Sequence, residues 1–249
     1  MAYKSKFEKI EEQLWEMACQ GLLHVMPDGM FRAVPTKFVL AWYHVKLFHE
    51  DCLYWHTVMS LPCFGKGQSF VPIRCLNCWK VVVRPRDYDE MMRLLDIMKR
   101  LDRMSKAGTE QRNLVPALWG AYFYNDTKEE GLNCYQQVYS EVKDAIFPDV
   151  PDLLIDKYII LKRGCTEYEH GINGPSDKWQ MFDGQVKFEE YIKSRVEVFK
   201  INDGQSDFLK SMVLENWKAW AHSRGDLSYV PYNEGKRLTP EYVTYQNKK

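Results

Sequence analysis

From Trp79 to Arg163 the apolar pattern repeatedly changes its period, and this alternation narrows the available folds more than any other feature of the chain. The β-branched run Trp79–Arg84, "WKVVVR", reads as a strand. Over Asp87–Arg103, Met91, Leu94, Leu95, Met98 and Leu101 recur at helical spacing on one face. A second apolar run, "ALWGAYFY" at Ala117–Tyr124, follows a polar loop containing Gly108. The helix expected over Lys128–Ile146 has Asn125-Asp126 as its cap, and "PDVPD" breaks it. Lys157–Arg163, "KYIILKR", reads as the third strand. The expected class is therefore α/β or α+β, with a β-α-β-α-β central layer.

The flanks read as mostly helical. Residues 4–19 place Phe7, Ile10, Leu14 and Met17 on one face, and "MPDGM" at Met26–Met30 supplies a turn. A second, aromatic-rich helix is expected over Thr36–Ser60 with Thr36 as N-cap, followed by a loop from Pro62 to Pro72. One further helix is expected near Phe208–His222, ahead of a Pro- and Tyr-rich tail. The regions are then an N-terminal helical part (1–62), a core (63–170) and a C-terminal extension (171–249), packed as one compact domain.

Charge and hydropathy exclude several partners. Lys and Arg total 34, as do Asp and Glu, and this zero balance argues against a large nucleic-acid footprint. No segment reaches the ~18 uninterrupted apolar residues of a membrane span. The charged N-terminus lacks the apolar centre of a signal peptide, so a cytoplasmic location is expected. The 8 Trp and 15 Tyr suit a thick core or an aromatic surface for a protein partner.

In a reducing compartment, 7 cysteines read as buried groups, ligands or nucleophiles rather than disulfides. Cys75 and Cys78 form a C-x2-C just before the first strand. A thioredoxin-like pair would follow a strand and open a helix, so a redox pair is disfavoured and simple burial is the plain alternative. The pattern points instead to metal ligation, with Cys63 in the glycine-containing loop and Cys165 after the third strand completing the set. Dispersed all-thiolate ligands favour a [4Fe–4S] cluster with a redox or structural role. Zinc is the alternative, in a binding module that engages nucleic acid, with His170 as a substitute ligand. The set requires the third strand to run antiparallel to the first, or the chain near Cys75 to fold back, since parallel strands would leave Cys78 and Cys165 about 20 Å apart.

Other candidates are weaker. Glu167, Glu169, His170 and Asp177 could serve acid–base chemistry, and a metal-independent enzyme would use Cys165 as nucleophile and His170 as base. His49, Cys52 and His56 share a helix face, for which a core role is preferred. Arg84, Arg86, Arg163 and Lys162 could hold an anion or pair with carboxylates. Cys19 and Cys134, inside helical patterns, are expected in the core. The motifs do not decide whether the chain is an enzyme.

Overall fold

The structure is a computed structural model that describes residues 2–33, 40–46, 50–59, 70–112, 114–169, 174–198, 205–239 and 245. Helices and strands are mixed in an α+β arrangement with two sheets among these residues.

The larger sheet contains β3 (Trp42–Lys46), β4 (Trp79–Val83), β5 (Ser105–Thr109), β6 (Trp119–Asn125) and β7 (Ile159–Arg163), in the order β3-β5-β6-β4-β7. All neighbours are antiparallel. Helix α4 (Tyr88–Leu101) connects β4 to β5, and α5 (Lys128–Ile146) connects β6 to β7. Each connection joins two strands that point the same way with one opposing strand between them. The core is thus a split β-α-β pair of ferredoxin-like topology, β-α-β-β-α-β.

The sequence pattern omitted one strand of this unit. β5, "SKAGT", carries a lysine and a glycine and no large apolar group, so it reads as loop. It forms a strand because β3 and β6 flank it and satisfy both of its edges. Gly108 is required there: a Cβ would lie 1.9 Å from the Ala41 carbonyl oxygen. The Thr109 amide and the Trp217 indole both donate to that same oxygen, at 3.1 and 2.9 Å.

The helix expected over Thr36–Ser60 also needs correction. Trp42–Lys46 is strand β3, and only α2 (Glu50–Met59) is helical, while Thr36 lies outside the described residues. In β3 the side chains alternate, with Tyr43 packed in the core and Trp42 on the opposite face. Helix α5 is capped by Thr127 rather than Asn125-Asp126. The Thr127 side chain accepts from the Glu130 amide, and Glu130 reciprocates in a capping box.

The main core lies between one face of the sheet and helices α4 and α5. Val81, Val83, Ala107, Ala121, Phe123 and Ile159 meet Met91, Leu94, Leu95 and Met98 of α4. Cys134, Val138, Val142 and Ile146 of α5 complete it, so Cys134 is a core residue. A C-terminal helix, Asp207–Ser223, closes the β3 end through Val213 and Trp217.

A second core joins α1 (Ala2–Cys19) to a small sheet of β1 (His24–Val25), β2 (Phe31–Ala33) and β8 (Val196–Val198). Ile10, Leu14 and Met17 pack there with Phe31, Trp55, Phe188 and Ile192. Cys19 is exposed, contrary to expectation. Two residues past Met17, it lies about 200° around the helix from that buried stripe. No helix among the described residues is long and apolar enough to cross a membrane.

Candidate functional site

Alternation along the strands gives the sheet a second face unlike the first. Val81 and Val83 point to the helices, which sends Lys80 to the other side together with Lys106 and Tyr122. The lysine of "WKVVV" is consequently almost fully buried, at 5% exposure. A buried ammonium requires a counter-charge.

That counter-charge is a sulfur. Lys80 Nζ lies 2.9 Å from Cys165 Sγ. Antiparallel pairing of β4 with β7 sets Trp79 opposite Arg163, and the Gly164 amide donates to the Cys78 carbonyl at 2.7 Å. The chain then turns at Gly164, whose φ is +63°, and Cys165 precedes the one-turn helix α6 (Thr166–Tyr168). His56, in the last turn of α2, brings Nε2 to 3.4 Å from the same sulfur. Cys165 is buried, whereas His56 is exposed.

Electrostatics separate Cys165 from its neighbours. Burial alone would raise its thiol, but the Lys80 ammonium and then His56 outweigh that effect and hold it at about 6. Burial pushes the Cys52 thiol up to about 11. Burial, then the negative charge of Cys165, drives Cys75 well above its ordinary range, and burial also raises Cys78. Among the described cysteines, only Cys165 combines a cation and an imidazole at its sulfur.

A polar network continues along this face. Arg112 donates to Glu167 Oε1 at 2.9 Å and to both oxygens of Glu110, while Tyr122 donates to Glu110 Oε2 at 2.6 Å. Burial opposes ionisation of Glu167, yet Arg112 and His56 lower it to about 2. Lys106 sits 4.2 Å from the Trp42 ring centroid. Burial first, then the charges of Arg112 and Lys80, bring it down to about 8.

The metalloprotein reading is overturned. Among the described residues no group of three or more His, Cys, Asp or Glu side chains is arranged to hold a metal ion. Strand β7 does run antiparallel to β4, which puts Cys78 and Cys165 at one end of the sheet as that reading required. Ligands must also be deprotonated and converge. Cys165 instead takes an ammonium and an imidazole at its sulfur, and burial raises the Cys75 and Cys78 thiols. Neither the iron–sulfur function nor its zinc-stabilised alternative is therefore retained.

Cys63, His49 and His170 lie outside the described residues. The base assigned to His170 has a counterpart in His56, which reaches Cys165 from a different element. Glu169 pairs with Lys162 at 2.7 Å, and Arg86 pairs with Glu90 and Asp149. Arg163 donates to the Leu76 carbonyl at 2.6 Å and the Ser176 carbonyl at 2.9 Å, so it ties loops together. Asp177 lies in the short 3-10 turn Ser176–Lys178. The sequence pattern does not pick out Lys80 or Arg112, although a lysine leading directly into a β-branched run is a readable signal. Searches of protein-family models, curated proteins and solved structures return no match to this chain.

Proposed function

We propose that this chain acts through a nucleophilic thiolate, Cys165, in covalent chemistry on an electrophilic carbonyl carbon. The observation that carries the reading is the placement of Cys165 Sγ between Lys80 Nζ and the exposed His56 imidazole. An activated cysteine nucleophile needs a cation or a base at the sulfur, and this sulfur has both.

In the reaction, Sγ attacks the carbonyl carbon, the S–C bond forms, and the C=O π pair moves onto oxygen. Forming that bond consumes the sulfur's negative charge, which leaves the Lys80 ammonium free to hold the developing oxyanion. His56 passes a proton to the departing group, and water completes turnover at the thioester.

The test is acylation of the full chain by an activated aryl ester near neutral pH, read by peptide mass spectrometry. The expected result is one acyl group per chain, on Cys165, and none in Cys165→Ala. Acylation that persists elsewhere at the same rate in Cys165→Ala would overturn the proposal, as would absence of acylation.

A further inference from the structure

Cys165 does not stand alone beneath the sheet. Cys75, at 2% exposure, shares a small buried cluster with Cys165, Val71, Leu76, Tyr168 and Trp179. The two backbones adjoin, since a Cβ placed on Gly164 would come within 3.3 Å of the Cys75 carbonyl oxygen. Cys75 belongs to the one-turn helix α3 (Ile73–Leu76), which the Gly164–Cys78 hydrogen bond and the Arg163–Leu76 hydrogen bond fasten to the end of β7. Cys75 itself has no part in the acyl chemistry at Cys165.

We propose that the chain also reduces hydroperoxides, with Cys165 as the attacking thiol and Cys75 as the resolving thiol that closes a Cys165–Cys75 disulfide. The inference rests on the thiolate reading of Cys165. In the first step the sulfur attacks the distal peroxide oxygen. An S–O bond forms, the O–O bond breaks, and the alkoxide or hydroxide leaves and takes a proton from His56. Cys165 is then a neutral sulfenic acid. In the second step Cys75 loses its proton and attacks Cys165 Sγ, so that S–S forms, S–O breaks and water departs. Two electrons pass from the two thiols to the peroxide, and an external dithiol returns the protein to its reduced state.

The electrostatics order these steps. While Cys165 is anionic, its charge is second only to burial in holding Cys75 protonated. Oxidation to the sulfenic acid removes that charge and frees Lys80, whose field favours the Cys75 thiolate. The resolving thiol is thereby activated after the first step and restrained before it.

The experiment treats the reduced full chain with hydrogen peroxide, then maps disulfides and dimedone adducts by mass spectrometry, with the pH dependence of iodoacetamide labelling followed in an untreated sample alongside. Expected are a Cys165–Cys75 disulfide in the unchanged chain and a dimedone-trapped Cys165 in Cys75→Ser. The disulfide map needs no variant and therefore stands even if Cys75→Ser fails to fold. A Cys165 labelling midpoint near 6 with no Cys165–Cys75 bridge, or with a bridge to Cys52 or Cys78, overturns this inference alone. A midpoint near 9 together with no oxidation overturns the thiolate reading and this inference with it.

Discussion

Lys80 Nζ and Cys165 Sγ lie 2.9 Å apart although 85 residues separate them in the chain. The pairing of β4 with β7 creates the contact. Lys80 faces away from the helices, and Cys165 follows the residue at which β7 turns back beside Cys78. Each group makes the other tolerable in a buried position. The ammonium holds the thiol down, and the thiolate, after burial is overcome, keeps the lysine charged.

That turn depends on Gly164. Its φ of +63° is left-handed, and a Cβ would lie 2.3 Å from the Trp179 ring. Gly164→Ala should cost at least the roughly 1–2 kcal/mol of left-handed strain, measured as a fall in the urea midpoint. It should also raise the pH at which Cys165 becomes reactive, because the sulfur moves off Lys80. Unchanged stability and reactivity would show that the turn does not position the thiol.

Arg112 should matter for stability more than for chemistry. The Glu110 side chain is fully buried against it, whereas Arg112 is itself partly open to solvent. Arg112→Met strands the carboxylate, at a cost near the lower end of about 3–5 kcal/mol. Pairing it with Glu110→Gln should recover part of the loss, because no buried charge is then left alone. Thermal unfolding of the single and double variants checks this, and equal destabilisation in both would contradict it.

The sheet topology was partly legible in the sequence. Helices α4 and α5 and strands β4, β6 and β7 carry strong periodicity, and all were placed closely from the pattern alone. Strand β5 was not legible, since Lys106 and Gly108 have no intrinsic strand preference and are paired by their neighbours. The site was half legible. Cys165 stood out as a thiol at a strand end, but its partners come from α2 and β4, and only the fold shows which histidine or lysine reaches it. The C-x2-C drew attention to metal because spacing is readable in a sequence and burial is not.

Stability should depend on pH through the same thiol. The folded chain holds Cys165 as thiolate from about pH 6, whereas the ordinary value is 9.0. Across that window the unfolded state binds more protons, so stability rises with pH. The contribution is complete above the unfolded value and is lost as pH falls through about 6. In urea titrations across the window, the stability difference between the unchanged chain and Cys165→Ser should grow with pH. A constant difference would contradict the coupling.

The pH dependence of Cys165 alkylation, followed by mass spectrometry in the unchanged chain and in Lys80→Gln, reads the Lys80–Cys165 pair most directly. Rate at neutral pH is a blunt readout. Losing the low pKa cuts the thiolate fraction about a hundredfold, but the more basic thiolate is the better nucleophile, and the net loss is only about fivefold. The midpoint is decisive. It should lie near 6 in the unchanged chain and move up toward 9 in Lys80→Gln. A midpoint near 9 in both proteins would show that Lys80 does not hold Cys165 as a thiolate.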